Sequence, residues 1–451
     1  MNRTDTIAAI ATPPGRGSVG IVRISGKNLA SIAQVILGGL PEPRHAQLSR
    51  FLDIQGQIID QGIALYFPAP NSYTGEDVLE LQGHGGPAVM SLLLGQCLAC
   101  GARMAQPGEF TLRAFLNQKL DLVQAESVAD IIEASTSQAA RCAARSLQGS
   151  FSTTITALVE SLTTLRMLVE ATLDFPEEEI DGLHGEEVKE KLGAINAQLE
   201  QVLSSAHRGN LLQEGIKVVL VGEPNVGKSS LLNQLAEEEV AIVTEIPGTT
   251  RDSIQRTITI SSIPVHIIDT AGLRETADIV EQKGIERTQA AVKGADILIR
   301  LIDSSHPLAV EDSDLLQAFS IDKPHITVLN KIDLIDQKPE TKTKENTVEV
   351  YLSAKTGVGV ELLREQILHA AGWHTGQGGE GLFMARQRHL EALEDARLHL
   401  NAAWKQAQDE SEWVLLAEEL RLAQDALASI TGRFTADDLL GEIFSHFCIG
   451  K

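Results

Sequence analysis

Cysteine and aromatic residues are scarce in this chain of 451 residues, which has four cysteines and only 4% Phe, Trp and Tyr. Four thiols cannot build the disulfide framework of a small secreted scaffold, so that class is excluded. Cys97 and Cys100 form a C-x-x-C pair, but no second pair is available to complete a zinc site. The pair fits two packed positions on an apolar helix, and a redox or metal role is the alternative.

Basic residues and long apolar runs are also lacking. Lys and Arg number 38 against 61 Asp and Glu, which gives a formal net charge of −23. A chain this acidic repels nucleic acid, so contact with RNA requires a local basic patch or a partner protein. No run reaches the roughly 18 apolar residues of a membrane span, and no cationic segment followed by an apolar core opens the chain. We therefore expect a cytoplasmic protein with no membrane contact.

The chain is too long for a single hydrophobic core and is expected to fold as several domains. Residues 1–118 have the short strands and turns of a mixed α/β domain. Residues 119–210 and 373–451 have apolar residues at helical spacing, whereas residues 211–372 alternate strands and helices. This order predicts one helical-bundle domain into which a doubly wound, mostly parallel α/β domain is inserted. The inserted domain has candidate strands at 217–221, 255–260, 264–268, 296–302, 325–329 and 348–352. The clearest helical stripe consists of Ile155, Leu158, Leu162, Leu165 and Val169.

The most informative motif is Gly-Glu-Pro-Asn-Val-Gly-Lys-Ser at residues 222–229. An apolar run at 217–221 enters it and a helical pattern at 230–235 follows. A strand, a glycine-rich loop and a helix therefore come in the order that a phosphate-binding loop requires. The free N–H groups and the positive dipole end of such a helix attract phosphate. Lys228 is placed for the β- and γ-phosphates of a nucleotide, and Ser229 for Mg²⁺.

Two further motifs are expected at the phosphate end of the same site. An apolar strand leads into Asp269-Thr270-Ala271-Gly272. Asp269 can hold the Mg²⁺ shell there, and the Gly272 N–H can reach the γ-phosphate. The segment at 248–252, Gly-Thr-Thr-Arg-Asp, lies between the glycine-rich loop and Asp269. A mobile loop at that position would place a threonine on Mg²⁺.

Two other motifs predict which base is bound. Asn330-Lys331-Ile332-Asp333 follows an apolar strand. Asp333 can accept two hydrogen bonds from the N1–H and 2-amino edge of guanine, an edge that adenine does not offer. Ser353-Ala354-Lys355 follows the next candidate strand and offers a backbone contact to the guanine oxygen. Five motifs in this order, each at the carboxyl end of a predicted strand, predict a guanine-nucleotide site.

The water-orienting glutamine of Ras-like GTPases is absent, because Leu273 follows Gly272. Hydrolysis therefore needs another arrangement. The amide oxygen of Asn225 can help to seat a monovalent cation near the phosphates, and Glu275 or Glu281 can supply an acid. The alternative for Glu281 is a first-turn carboxylate that stabilises a helix dipole.

Three more segments carry a family resemblance. They are Ser-Tyr-Thr-Gly-Glu-Asp at 72–77, Pro-Gly-Glu-Phe-Thr-Leu-Arg-Ala-Phe-Leu-Asn at 107–117, and the chain end Phe-Cys-Ile-Gly-Lys at 447–451. With the motifs from Asp269 to Arg287, they resemble the MnmE (TrmE) family of bacterial tRNA-modification GTPases, and the match spans the whole chain. The resemblance implies three domains. These are an N-terminal domain for tetrahydrofolate binding and dimerisation, a helical domain in two parts, and an inserted Ras-like GTPase domain.

The resemblance also implies an activity and its partners. Proteins of this family form homodimers and work on certain tRNAs with the FAD-dependent subunit MnmG, as a heterotetramer. They add an aminomethyl or carboxymethylaminomethyl group to C5 of the wobble uridine. The one-carbon unit comes from 5-formyl- or 5,10-methylene-tetrahydrofolate, and GTP hydrolysis depends on K⁺ and Mg²⁺.

Carried onto this sequence, the resemblance assigns residues to four functions. Glu281 is implied as the catalytic residue that orients the attacking water, in preference to its helix-dipole role. The implied ligands are Asn225, Thr244, Ile246 and Thr249 for K⁺, Ser229 and Thr250 for Mg²⁺, and Arg23, Glu80, Lys119 and Lys451 for folate. The implied GTP-binding residues are Asn225, Val226, Gly227, Lys228, Ser229, Ser230, Thr244, Glu245, Ile246, Pro247, Gly248, Thr249, Asp269, Thr270, Ala271, Gly272, Asn330, Lys331, Asp333, Ser353, Ala354 and Lys355.

Two alternatives stay open at the level of sequence. A GTP-driven ribosome assembly factor similar to Era and Der would share the nucleotide motifs. Such proteins carry basic RNA-binding domains, whereas this chain is strongly acidic and has N- and C-terminal motifs that they lack. Cys448, within the C-terminal motif, fits either a buried structural thiol or a chemical role near the folate.

Overall fold

The chain divides into two compact units. The first is formed by Met1–Ala129, Ser146–Gly193 and Asp395–Lys451, and the second by Asp130–Arg145 and Ala194–Glu394. The domain boundaries predicted at 118, 210 and 372 remain predictions. The computed structural model describes residues 5–174, 185–236, 255–269, 294–305, 323–344, 347–373, 381–432, 437–445, 447 and 450.

The helices of the described ranges are numbered here along the chain. They are α1 (Leu29–Leu37), α2 (Pro87–Ala99), α3 (Glu109–Leu116), α4 (Leu122–Glu133), α5 (Ser137–Leu147), α6 (Ser150–Asp174), α7 (Gly185–Glu214), α8 (Lys228–Ala236), α9 (Val360–Ala370), α10 (Gln387–Gln406), α11 (Trp413–Thr431) and α12 (Asp437–Ser445). Short 3₁₀ turns cover Ile332–Leu334 and Glu410–Glu412. None of the described helices is long and apolar enough to cross a membrane.

One mixed sheet organises the first unit. Its strands are β1 (Ile7–Ile10), β2 (Gly20–Ser25), β3 (Gln47–Leu52), β4 (Ile58–Phe67), β5 (Val78–Gly83) and β6 (Arg103–Met104). They lie in the order β3-β4-β5-β2-β1-β6, and all pairs are antiparallel except β1 with β6. The predicted mixed α/β character of this region is confirmed.

The core of this sheet lies between its inner face and helices α1 and α2. Val22 of β2 and Leu81 of β5 are fully buried there against Ile32 of α1 and Leu93 of α2. Because side chains alternate along a strand, the next residue of β2, Arg23, lies on the opposite face. The hydrophobic pattern of the central strands therefore determines which polar side chains meet on the outer face.

The two cysteines of the C-x-x-C pair lie at the end of α2. Cys97 is fully buried in the core of the first unit, and Cys100 caps the helix and is half-buried. Burial raises the pKa of the Cys97 thiol to about 12, so the thiol stays protonated at neutral pH. A protonated buried thiol is a poor nucleophile and a poor metal ligand. The packed-helix interpretation of this pair is the one that the structure supports.

The long helix α6 confirms the stripe predicted from its sequence. All five apolar residues of that stripe are buried, and they pack against α11, whose own stripe includes Leu416, Leu420 and Leu427. A polar contact between the same helices joins Arg166 Nη1 to Gln424 Oε1 at 2.8 Å. Apolar residues at alternating spacings of three and four thus place these two helices side by side.

The second unit contains the predicted doubly wound sheet. Its strands are β7 (Ile216–Gly222), β8 (Gln255–Ile260), β9 (Ile263–Asp269), β10 (Ile297–Asp303), β11 (His325–Asn330), β12 (Glu340–Lys344) and β13 (Thr347–Tyr351). They lie in the order β12-β13-β11-β10-β7-β9-β8. The five inner strands are parallel, and the two edge strands β8 and β12 are antiparallel to their neighbours. The carboxyl ends of the five parallel strands therefore share one edge, where ligands bind in sheets of this kind.

Candidate active site

The phosphate-binding loop follows the central strand β7. This strand ends at Gly222 and α8 begins at Lys228, with parallel strands on both sides of β7. Two residues of the loop have the left-handed backbone of a tight turn, Asn225 with φ 64° and Gly227 with φ 102°. A Cβ at Gly227 would also collide with the side-chain amide of Asn330. Glycine is therefore required at 227 by both conformation and close approach.

The ammonium group of Lys228 lies inside this loop. It donates hydrogen bonds to the carbonyl oxygens of Gly222 at 2.6 Å and Glu223 at 2.7 Å, and the residue is buried. A buried ammonium group is tolerated only when its protons are hydrogen-bonded. The positive charge is therefore held at the loop that was predicted to bind phosphate.

The side chain of Asn330 joins three of the predicted motifs. Its Nδ2 donates to the carbonyl oxygen of Val226 at 2.7 Å, and its Oδ1 accepts from the backbone N–H of Ala354 at 2.8 Å. The residue is only 2% exposed. The phosphate loop after β7, the motif after β11 and the motif after β13 are thus connected through one buried amide.

The carboxylate of Asp333 lies beside the third of these motifs. Its Oδ1 accepts a hydrogen bond from the hydroxyl of the buried Ser353 at 2.6 Å. Asp333 sits in the 3₁₀ turn after Lys331, which itself has a left-handed backbone with φ 67°. The carboxylate is exposed and is oriented by Ser353. This arrangement presents an acceptor group of the kind that recognises the N–H edge of guanine.

Strand β9 carries Asp269 at its end, and His266 anchors this strand. The Nε2 atom of His266 lies 3.1 Å from the carbonyl oxygen of Glu214, and Nδ1 lies 3.0 Å from the hydroxyl of Thr257. Burial lowers the pKa of His266, which favours the neutral ring that donates through Nε2 and accepts at Nδ1. The backbone of Asp269 pairs with Leu220 of β7, so β9 delivers its last residue next to the phosphate loop.

A second candidate site lies on the outer face of the first sheet. Arg23 and Glu80 are directly opposite each other on β2 and β5, and Arg23 Nε donates to Glu80 Oε1 at 2.9 Å. The guanidinium carbon of Arg23 lies 5.4 Å from the ring centre of Tyr73 and 5.9 Å from that of Phe110. Distances of this size permit cation–π attraction. The structure therefore brings together two of the four residues that were predicted to bind folate.

Of the other two predicted folate ligands, only Lys119 lies within the described residues. Lys119 is exposed, and its side chain borders Gly75, where a Cβ would lie 3.3 Å from Lys119 Cγ. Lys119 and Arg23 thus both border the segment at 72–77. Lys451 lies outside the described residues. Gly450, just before it, packs closely on the backbone of Ile10 at the end of β1.

Two of the family-like segments hold each other in place. Arg113, from the segment at 107–117, donates to Glu76 Oε2 at 2.9 Å and to Glu109 Oε1 at 3.0 Å. Burial raises the pKa of Glu109, but hydrogen bonds from Arg103, the Gln106 N–H and Arg113 outweigh it, so the pKa is lowered overall. Glu109 is therefore a buried carboxylate that keeps its charge. This network positions the loop that carries Tyr73.

Several predicted site residues lie outside the described residues or are described only in part. Ser229 and Ser230 are exposed on the first turn of α8, and Lys355 is exposed after β13. The structure describes the backbone of Asp269 but not its side chain. The predicted residues outside the described ranges are Thr244, Glu245, Ile246, Pro247, Gly248, Thr249, Thr250, Thr270, Ala271, Gly272, Glu281, Cys448 and Lys451. Within the described ranges, no group of three or more His, Cys, Asp or Glu side chains forms a ready metal site.

Comparison with known proteins decides the family. The family model described as the MnmE helical domain matches residues 122–448, and the one described as the GTP-binding protein TrmE N-terminus matches residues 6–119. A tRNA modification GTPase MnmE from Nitrosomonas europaea is 64% identical over 453 residues, covering 100% of both chains. The chain belongs to the MnmE family of tRNA modification GTPases. A second MnmE protein, from Nitrosospira multiformis, is 60% identical over 453 residues, again covering 100% of both chains.

Among solved structures, the chain is similar to the G domain of the FeoB iron transporter of T. maritima. The two are 30% identical over 35% of this chain and 98% of that chain, with a TM-score of 0.26. A TM-score this low has no weight for the fold. The assignment to the MnmE family rests instead on the full-length relatives, which favour it over an Era-like or Der-like ribosome assembly factor. The predicted GTPase activity and the predicted fold class are confirmed.

The sequence analysis missed one residue beside the candidate site of this MnmE-family protein. Asp303 ends β10, the strand between β7 and β11, and its carboxylate contacts Lys331. The sequence signal was an acidic residue at the carboxyl end of an apolar strand, Leu301-Ile302-Asp303. The partner of this acid is visible only once the strand order is known.

Replacement of Asn330 tests whether the buried amide holds the nucleotide site together. We expect Asn330→Ala to raise the dissociation constant for GDP roughly tenfold to a hundredfold, about 1.4–2.8 kcal/mol, because the loops that carry Val226 and Ala354 lose the amide that fixes their positions. Fluorescence titration with a labelled GDP measures this constant. Asn401→Ala, at an exposed position on α10, is the matched control. An unchanged affinity in Asn330→Ala would contradict the bridging role.

Proposed function

We propose that this chain is a K⁺-dependent GTP hydrolase that acts with the FAD-containing partner MnmG. Together they add an aminomethyl or carboxymethylaminomethyl group to C5 of the wobble uridine of certain tRNAs, using a folate one-carbon unit. The observation that carries the proposal is the 64% identity to a tRNA modification GTPase over the full length of both chains. The connected guanine-nucleotide site supports the hydrolase part independently, through the bonds of Asn330 and Asp333.

The described residues fit the cations that this activity requires. Ser229 has an exposed hydroxyl group on the first turn of α8, next to Lys228, and a hydroxyl oxygen suits Mg²⁺. Asn225 is exposed and lies on the phosphate loop itself, where its backbone is left-handed. Its amide oxygen is a suitable K⁺ ligand. Thr250 would be the second protein ligand of Mg²⁺. Thr244, Ile246 and Thr249 would be the remaining protein ligands of K⁺.

Hydrolysis is assigned to residues around the γ-phosphate. Lys228 neutralises charge on the phosphates, and Glu281 orients the attacking water through a second water. A bound K⁺ supplies positive charge to the transferring phosphoryl group, as an arginine finger does in other GTPases. Leu273 occupies the position of the Ras-like glutamine, so the chain needs these residues for the water.

Net charge and exposed apolar residues support the proposed partners. With a net charge of −23, the chain is poorly suited to bind tRNA alone, which supports delivery of the tRNA by MnmG in a heterotetramer. A homodimer through the N-terminal domain is supported by the apolar pair Leu48 and Ile63, which face each other on β3 and β4 and are 68% and 38% exposed. Solution mass of the complex decides this stoichiometry. We place the chain in the cytoplasm, where tRNA is its substrate.

The decisive experiment is nucleoside analysis of tRNA. A strain that lacks this chain is expected to lose the C5 modification of the wobble uridine in mass spectrometry of its digested tRNA. The purified chain and its FAD partner together, but neither alone, should restore the modification when folate and GTP are added. Fully modified wobble uridines in the deletion strain would refute the proposal.

The cation and water assignments are tested by GTP turnover. We expect turnover to fall roughly a hundredfold when K⁺ is replaced by Na⁺ at equal ionic strength, because electrostatic stabilisation of the transferring phosphoryl group is lost. Asn225→Ala should weaken this discrimination, whereas Asn233→Ala, at an exposed position on α8, should not. Glu281→Ala should keep GTP affinity and lose hydrolysis. Equal rates in both salts would exclude the K⁺ role, and normal turnover in Glu281→Ala would exclude the water-orienting role.

The folate assignment is tested at Arg23. We expect Arg23→Met to weaken binding of 5-formyl-tetrahydrofolate at least about tenfold, since a charge-assisted hydrogen bond to an anionic or pterin group is lost. Calorimetric titration measures the affinity. Arg50→Met, at an exposed position on β3 of the same sheet, provides the control for loss of a positive charge. Equal affinities of both variants and the unmodified chain would remove Arg23 from the site.

A further inference from the structure

An acidic side chain is built into the sheet beside the base-recognition motif. Asp303 is the last residue of β10 and pairs in register with Asn330 on β11. The backbone N–H of the next residue, Ser304, donates to the carbonyl oxygen of Asn330 at 2.9 Å. The backbone of Asp303 is therefore fixed relative to the motif Asn330 to Asp333. The carboxylate projects from a rigid element and not from a flexible loop.

Both oxygen atoms of this carboxylate are engaged. Oδ1 accepts hydrogen bonds from the N–H of Ser305 at 2.9 Å and from its hydroxyl group at 2.6 Å. Oδ2 lies 2.5 Å from Nζ of Lys331. Burial raises the pKa of Asp303, but the hydrogen bonds from Lys331 and Ser305 outweigh it and hold the pKa well below its usual range. The group is a permanent anion with one oxygen directed at Lys331.

Lys331 is held at both of its ends. Its backbone adopts the left-handed conformation with φ 67° and ψ 33°, and its ammonium group is fixed by Asp303. The side chain is 30% exposed and that of Asp303 is 16% exposed. A lysine held in this way presents its four methylene groups as a fixed apolar surface, because only the ammonium end is polar. This surface starts between Asn330, which contacts the phosphate loop, and Asp333, which is predicted to contact the base.

We propose that Asp303 is a positioning residue for guanine-nucleotide binding. It fixes the methylene stem of Lys331 as a flat wall against which the purine ring packs. The carboxylate itself touches neither the base nor the phosphates. Without the ion pair, the lysine regains rotamer freedom, and ordering it again on binding costs affinity.

This role has a selectivity signature that a base-contacting residue does not share. A wall of methylene groups packs against any purine ring, so its loss weakens guanine and hypoxanthine nucleotides by the same factor. Asp333, in contrast, is placed to contact the 2-amino group that hypoxanthine lacks, so its loss changes the ratio between them. The two residues can therefore be distinguished by measuring both GDP and IDP.

The test uses the full-length chain and competition between GDP, IDP and a fluorescent GDP. Asp303→Asn keeps the size of the side chain, and its amide oxygen can still accept from Ser305. We expect the dissociation constants of GDP and IDP both to rise about tenfold, with their ratio unchanged. Asp336→Asn removes the same charge at an exposed position six residues from Asn330 and is expected to change neither constant.

A double-mutant cycle separates positioning from a general structural effect. In the Lys331→Ala background, Asp303→Asn should cost no further affinity, because the stem that it positions is absent. Three results would overturn the proposal: unchanged GDP affinity in Asp303→Asn, the same loss in the Lys331→Ala background, or a changed ratio of GDP to IDP. If Asp303→Asn does not fold, Asp303→Glu provides the second variant. It keeps the charge but displaces it by one methylene group, and unchanged affinity there would equally overturn the proposal.

Discussion

The nucleotide site depends on one buried amide, that of Asn330. A buried amide is costly unless both its donor and its acceptor are paired, and removal of a partner costs about 1–3 kcal/mol. The amide nitrogen of Asn330 donates to Val226, and its amide oxygen accepts from Ala354. Both bonds form only when the three loops have fixed positions relative to one another. The loops follow different strands, β7, β11 and β13, and the amide makes them one rigid frame. The predicted base-recognition motifs and the predicted phosphate loop thus share a single structural support.

The parallel sheet supplies the framework for this amide. Strands far apart in sequence end at one edge because they run in the same direction, which places residues of different motifs within hydrogen-bonding distance. β10 lies between β7 and β11 in space although it lies between β9 and β11 in sequence. This interleaving brings Asp303 beside Lys331, a contact that neither local pattern foretells. The apolar runs of the inner strands therefore determine indirectly which polar groups meet at their ends.

The sequence predicted most reliably those elements of the fold that depend only on the local spacing of apolar and glycine residues. The apolar strands of the inner sheet, the glycine-rich loop and the stripe of α6 were all predicted, because each depends on local spacing. Strand β12 was missed since Glu340–Lys344 contains only Glu, Thr and Lys, without an apolar pattern; its pairing with β13 makes it a strand. The contact of Arg23 with Glu80 was also not foreseen, although both residues were chosen, because strand register decides it. Pairings across strands carry no signature in either strand alone.

The phosphate loop combines a fixed backbone with a buried positive charge. Its backbone has the left-handed turns at Asn225 and Gly227, and its lysine lies inside the loop, bonded to Gly222 and Glu223. The side chain of Lys228 is thus the flexible part of a loop whose backbone is set by these two turns. The carbonyl partners are neutral whereas phosphate is anionic, so a bond from the ammonium group to phosphate adds an ion-pair attraction that the carbonyl oxygens do not offer. Because the buried amide of Asn330 makes the surrounding frame rigid, little conformational entropy remains to be lost there, and more of an electrostatic gain is retained as affinity.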